Sequence, residues 1–190
     1  EGLEAVFLRS PVAHAEVVRL DVRAAAALPG VAAVLTAADL ALPPLHPPVE
    51  NPDAFSPPRP LLAEQVVRFT GEPVAIVLAD SAYVGEDALE LIDLELEPLP
   101  LVLDPREAGA AEPLHAGHGN VLYDHRFDSG GVDEAFEAAA IVFERDFRNP
   151  RYSATPMETR GVLAEPYGAG LRLHCSTQAP HRYATIVAEL

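Results

Sequence analysis

Apolar and polar positions alternate with period two near the start of the chain. Ala5 to Arg9 and Ala15 to Val22 both read as strands, and in the second Val18, Leu20 and Val22 interleave with Arg19 and Asp21. That period is the mark of a strand buried on one face. Ser10-Pro11 supplies a bend between them, because proline removes a ladder donor. Ala-rich Arg23 to Leu28 predicts a short helix stopped by Pro29-Gly30, and Val31 to Thr36 returns as a strand. Eight prolines between Pro43 and Pro60 (Pro43, Pro44, Pro47, Pro48, Pro52, Pro57, Pro58, Pro60) forbid a helix or an inner strand there. The segment reads as an extended surface loop, a stiffened connection rather than a peptide-recognition ligand.

Gly71-Glu72-Pro73 then turns into Val74 to Ala79, an unbroken apolar run of the kind buried on both faces. Ser81 to Asp93 predicts a helix with Val84, Ala88, Leu91 and Ile92 as its inner stripe and Glu86, Glu90 and Asp93 opposite. Ile92, Leu94 and Leu96 alternate with Asp93, Glu95 and Glu97, so a strand overlaps the helix end. Both periods turn these acids outward, which favours a solvated face over a metal cluster. Glu97 to Gly119 reads as a connector. Beyond it the pattern predicts strands at Val121 to Phe127, Ile141 to Phe147 and Gly161 to Ala164, and a helix at Val132 to Ala140 with Val132, Ala135, Phe136 and Ala139 on one side. A last strand has Leu171, Leu173 and Cys175 inward, making Cys175 a buried apolar thiol rather than a nucleophile. Pro180 opens a final helix with Ile186, Val187 and Leu190 at helical spacing and no glycine or asparagine stop, as expected of a chain cut inside a larger domain. Mixed strands and helices without internal repeat imply an α+β fold with a break near residues 100 to 120.

Bulk composition narrows the function more than the fold. The 190 residues are 49% hydrophobic, enough for one good core or two small ones. The formal charge of −16, with no Lys or Arg cluster, argues against nucleic acid or an anionic membrane as partner. One cysteine excludes an internal disulfide, and no apolar run reaches the roughly 18 residues of a membrane span. With no visible signal peptide, the cytoplasm is the expected compartment.

Catalytic signatures are sparse. A Gly-x-Ser-x-Gly elbow, a phosphate loop and a Gly-x-Gly-x-x-Gly turn are all missing. His115 and His118 are three apart but sit in a non-helical stretch without a third ligand, so they do not read as a metal site. His14, His125 and His174 lie in or beside strands and read as satisfied polar residues. The one junction that favours a site is at Gln178. There a strand ends at Cys175 and a helix opens at Pro180, leaving backbone N–H groups suited to an anion or an oxo group. Gln178 adds two neutral donors.

Eight short strings, in order, carry a resemblance. They are Phe7-Leu8-Arg9-Ser10-Pro11 with His14-Ala15, Pro29-Gly30-Val31, Thr36-Ala37-Ala38-Asp39-Leu40, Gly71-Glu72-Pro73-Val74-Ala75, Glu97-Pro98-Leu99-Pro100, Val132-Asp133-Glu134-Ala135-Phe136, Pro156-Met157-Glu158 and Ser176-Thr177-Gln178. The chain resembles the N-terminal part of the molybdenum-binding large subunit of the xanthine dehydrogenase, aldehyde oxidase and carbon monoxide dehydrogenase family. The resemblance implies an α/β hammerhead domain over residues 1–108 and a connector with a short strand and helix over 109–140. Residues 141–190 would be the incomplete beginning of the molybdopterin-binding domain, in a subunit that starts before Glu1 and continues well past Leu190. It implies a molybdopterin centre that oxidatively hydroxylates an aldehyde, purine or related heterocycle, or oxidises carbon monoxide, with electrons passed to Fe–S and FAD partner subunits or domains. Gln178 matches the family glutamine whose amide donates to the apical oxo ligand of molybdenum. The family's glycine-rich loop after this helix and its late base glutamate have no counterpart, so no catalytic or metal-ligating residue and no bound cofactor are expected on these 190 residues. The alternative is a free-standing, non-catalytic interaction module on the hammerhead fold. A hydrolase has no motif behind it.

Overall fold

The computed structural model describes residues 2–46, 54–150 and 152–190. The chain forms two compact units, Glu1–His125 and Arg126–Leu190. Pro47, Pro48 and Pro52 of the proline-rich segment lie outside the described residues; on either side of them Leu45 and Arg59 exchange two backbone hydrogen bonds of 2.8 and 2.7 Å.

In the first unit the order is β1 (Glu4–Arg9), β2 (Ala15–Asp21), α1 (Arg23–Ala26), β3 (Val31–Leu35), α2 (Ala37–Leu40), β4 (Val66–Val67), β5 (Pro73–Ala79), α3 (Ala82–Leu89) and β6 (Asp93–Pro98). Two antiparallel three-stranded sheets result, β1-β5-β3 and β4-β2-β6. β5 is the centre of the first, which is why its run is apolar throughout: Val74, Ala75, Val77 and Ala79 are fully buried and Ile76 and Leu78 half-buried. One core gathers Ala15, Ala63, Val67 and Val74 with Leu8, Val17, Leu20, Leu94 and Leu96 from both sheets. A second lies under the helices, where Ala25 and Ala88 meet Val77 and Ala79. Strands and helices mixed around antiparallel sheets make this α+β.

Several expectations are corrected here. The pairing of β2 with β6 shifts register between Val17 and Arg19. The extra residue at this bulge reverses the alternation, so Val17 packs inward and Val18, expected inside, is 52% exposed. Helix α3 stops at Leu89 rather than Asp93: Leu91 and Ile92 donate to Ala88 and Leu89 in tighter turns, and Leu91 is exposed. The real inner positions include Gly85 beside Ala88. At its start Ser81 Oγ accepts the Val84 N–H at 3.3 Å, an ordinary N-cap. Helix α2 and the two-residue β4 were not expected. The first is set by a capping box in which Asp39 accepts from both the Thr36 N–H (2.8 Å) and its hydroxyl (2.6 Å). The outward acids behave as expected, with Arg19 reaching Asp93 at 3.0 Å and Glu95 at 3.3 Å on an exposed face where such pairs are worth little.

Two of the recognisable strings turn out to hold each other in place. The Ser10 N–H donates to Glu72 O at 2.9 Å and Gly71 N–H to Ser10 O at 2.8 Å, while the buried Ser10 hydroxyl closes a turn onto Val12 O at 2.7 Å. Gly71 has φ +89°, a conformation that favours glycine. The buried Glu72 carboxylate caps the Arg68 N–H. His14 contacts Pro100 O through Nδ1 at 2.8 Å, and its carbonyl accepts from Leu99. His14 is thus satisfied, as expected.

The connector is more organised than its sequence suggests. Asn120 Oδ1 accepts from Leu114 N at 2.8 Å, and Nδ2 reaches the carbonyls of Ala108, Glu112 and Ala111 at 2.9, 3.0 and 3.3 Å. Two hydrogens therefore serve three acceptors. Asn120→Ala should raise amide exchange across residues 108–120 roughly tenfold, the scale of one net hydrogen bond, with exchange in β5 unchanged; equal protection in both variants would show that the loop does not depend on this side chain. Phe55 stacks on His118 (centroids 3.6 Å apart) and meets His115 edge-on at 6.0 Å. Burial, then the Arg68 and His118 charges, lower the His115 pKa below its ordinary value. Among the described residues no group of three His, Cys, Asp or Glu side chains is arranged to hold a metal.

The second unit contains α4 (Val132–Ala138), the hairpin β7 (Val162–Tyr167) and β8 (Gly170–Cys175), and α5 (Pro180–Glu189). Gly168 supplies φ +60° in the two-residue hairpin turn. The strands expected at Val121 to Phe127, in the first unit's last residues and just beyond, and at Ile141 to Phe147 are absent. Both stretches are irregular and exposed, because no described strand offers them a ladder. Ile141 is 84% and Phe143 82% exposed, and the expected inner side of α4 is open at Val132 and Phe136. No described helix is long and apolar enough to cross a membrane.

Candidate cofactor-facing turn

The sequence-predicted junction exists. β8 ends at Cys175 and α5 begins at Pro180, with Ser176 to Ala179 as the turn between them. Its donors differ from expectation. Pro180 has no N–H, and the Ala179 N–H is taken at 3.0 Å by Thr177 Oγ1. The Tyr183 N–H closes the first helical bond onto Ala179 O at 3.1 Å. His181 and Arg182 N–H remain as the unfilled pair at the helix start, together with whatever Gln178 presents.

Gln178 is exposed, and its amide bonds to no described residue. It offers two neutral N–H donors and one acceptor. The turn that carries it is held from both sides. Upstream, Ser176 Oγ donates to Glu158 Oε1 at 3.2 Å, and the Ser176 N–H reaches Gly161 O at 3.4 Å. Downstream, Thr177 makes the bond to Ala179 already described. Glu158 and Ser176 belong to two strings 18 residues apart in sequence, brought together here.

Beneath the turn an open groove of about 670 Å³ runs between β8 and α5, lined mainly by Leu171, Leu173, Cys175, Pro180, Tyr183 and Val187. Cys175 is half-buried against it, less enclosed than expected. Thr177 lines the groove and Gln178 does not, so the apolar groove and the amide are separate features. On the far face of the hairpin, Glu165 bridges Arg172 and His174 at 3.3 and 3.2 Å, and Arg172 lies 3.7 Å over the Tyr167 ring. That face has an ordinary structural account.

The aldehyde oxidase and xanthine dehydrogenase a/b hammerhead domain matches residues 3–100, and the molybdopterin cofactor-binding domain matches residues 114–190. The chain belongs to this family of molybdenum-binding subunits. The nicotine 6-hydroxylase large subunit of Paenarthrobacter nicotinovorans is 43% identical over 94% of the chain and 23% of that relative. The carbon monoxide dehydrogenase large chain of Hydrogenophaga pseudoflava is 33% identical over 97% of the chain and 25% of its own length. Among solved structures, quinoline 2-oxidoreductase from Pseudomonas putida 86 superposes with a TM-score of 0.88 at 38% identity, covering 98% of this chain and 24% of that one. The fold is accordingly a hammerhead domain followed by the start of a molybdopterin-binding domain, and the chain spans about a quarter of the relatives it matches.

The turn's donor set fits such a cofactor. An oxo or phosphate oxygen wants N–H donors, and the nearby Glu158 carboxylate is tied to the Ser176 hydroxyl. Gln178 and the two open backbone N–H groups supply neutral donors in the turn after β8. Sequence reasoning singled out Gln178 and did not single out Thr177 and Glu158, whose side chains brace its turn. The signal for Thr177 was present: a threonine two residues before a position whose N–H needs a partner is a local turn former.

Proposed function

We propose that these residues form the N-terminal part of a molybdenum hydroxylase large subunit, with residues 1–108 as hammerhead domain, 109–140 as connector and 141–190 opening the cofactor domain. The observation that carries the reading is the exposed Gln178 amide, without a partner among the described residues and set on a braced turn inside the segment that matches the cofactor-binding domain. When bound, molybdopterin would supply the molybdenum centre at which an electron-poor carbon is oxidised. Gln178 would hold an oxygen of that centre by a neutral N–H, which strengthens as negative charge gathers there. No other residue here is given a role in the reaction.

The nitrogen-heterocycle branch of the chemistry is favoured as substrate class. The nicotine and quinoline relatives are 43% and 38% identical, against 33% and 34% for the carbon monoxide dehydrogenases. Electrons would leave through Fe–S and FAD partners, as subunits or domains of the same enzyme.

One amide and two backbone N–H groups are too few contacts to hold a cofactor of this size, since affinity there is built from many enclosing groups. The whole subunit, produced with its partners, should therefore carry molybdenum, and the 190-residue chain alone should carry none and turn over no substrate. The check is metal analysis of both. A whole subunit without molybdenum would end the reading, and stoichiometric metal on the short chain would end the claim that its site is only one wall.

A further inference from the structure

The hydrogen bonds around Gln178 suggest how its direction is fixed. An exposed glutamine amide with no partner of its own has three side-chain torsions free, so only its backbone can be held in advance. Two bonds do this. Thr177 Oγ1 accepts the Ala179 N–H at 3.0 Å, closing the turn on the helix side of Gln178. Glu158 Oε1 accepts the Ser176 hydroxyl at 3.2 Å, anchoring the strand side to a segment 18 residues away. Thr177 is half-buried and lines the groove beside α5, and its branched side chain has few χ1 rotamers to choose from. We propose that Thr177 and Glu158 are positioning residues that fix the turn from both sides and so aim the Gln178 amide. Neither acts on the reacting atoms. The inference rests on Gln178 facing the cofactor.

This division has a chemical logic. The carboxylate of Glu158 is spent on Ser176, one residue removed from Thr177 and two from Gln178, so the acid braces the turn while the group presented remains neutral.

The test is made in the whole subunit assembled with its partners. Thr177→Val and Glu158→Ala remove the two acceptors, while Thr177→Ser and Glu158→Gln keep an oxygen at each place. Gln178→Ala serves as reference. Turnover is normalised to bound molybdenum, and the Mo(V) electron paramagnetic resonance signal of the reduced enzyme is read alongside it. Thr177→Val and Glu158→Ala should each lose about tenfold in turnover per molybdenum, a smaller loss than removing the amide, since misaiming of the order of 1 Å is the cause. Their Mo(V) signals should shift in the direction of Gln178→Ala, and the two conservative variants should stay within about twofold of the parent. A wild-type signal and turnover per molybdenum in the two disruptive variants, with Gln178→Ala affected, overturns the positioning role alone. Loss of metal from Thr177→Val beside wild-type behaviour of Glu158→Ala also overturns it, leaving Thr177 a folding role only. A Gln178→Ala enzyme identical to the parent in both readouts overturns the reading of Gln178 instead.

Discussion

Gln178→Ala in the assembled enzyme is expected to lower kcat by roughly 10², the loss found when one donor to a developing oxyanion is removed. The same change should leave the melting temperature nearly where it was. Gln178 is exposed and its side chain makes no hydrogen bond with the described residues, so truncation removes no core contact and orphans no partner among them. The separation of the two effects is what identifies a group held for chemistry. Gln178→Glu sharpens the argument: it keeps the size, removes both N–H donors and adds a negative charge beside the oxygen it should support. It should be at least as impaired as the alanine variant. An unchanged kcat in Gln178→Ala, measured per bound molybdenum, would remove the one cofactor contact assigned to this chain.

The parts of the structure legible in the sequence are those where one local rule acts alone. β5 was readable because a central strand must be apolar on both faces, and Val74 to Ala79 has no polar residue to confuse the pattern. The β8-to-α5 junction was readable because Pro180 both ends the preceding segment and opens the helix. The failures have a common physical cause. Val18 was placed inside because period two was carried through a bulge, and a bulge is fixed by the partner strand β6, which lies more than seventy residues away. Ile141 to Phe147 was read as a strand because its residues have strand character, but a ladder needs a neighbour, and none of the described strands provides one.

The candidate site divides along the same line. Gln178 could be proposed from the strand–Pro junction and the resemblance together, whereas the Glu158 brace could not, because nothing in a sequence says that residue 158 will meet residue 176. Several strings that carry the family likeness are also structural rather than chemical. Ser10 with Gly71-Glu72, His14 with Pro100, and Thr36 with Asp39 are pairs that hold loops and caps in the first unit. A likeness spread over such pairs speaks for the fold over its whole length, and the proposed chemistry rests on Gln178 alone.

The inner face of α3 shows how a tight packing constraint escapes pattern reading, and it yields the largest expected effect on stability. Gly85 breaks the apolar stripe and so dropped out of the predicted core, yet it is buried, and β1 lies directly against it. A Cβ placed there would come within 2.4 Å of Val6 Cγ2 and 3.1 Å of Val6 Cβ. Valine is stiff at χ1, so the methyl cannot rotate out of the way at low cost, and the helix must move off the sheet instead. Overpacking of this kind costs about 1–3 kcal/mol. Against it stands the gain of roughly 1 kcal/mol from replacing glycine by alanine within a helix. Gly85→Ala should therefore destabilise by up to about 2 kcal/mol, and Gly85→Val by clearly more, as seen in thermal or denaturant unfolding. Val6→Ala opens the space that the new methyl needs. Alone it should cost about 2 kcal/mol for the lost side chain and the cavity. Combined with Gly85→Ala it should cost less than the sum by at least about 1 kcal/mol, a coupling expected of residues in direct contact. Additive losses in the double variant, or a Gly85→Ala protein more stable than the parent, would mean that α3 does not rest on β1 through this glycine.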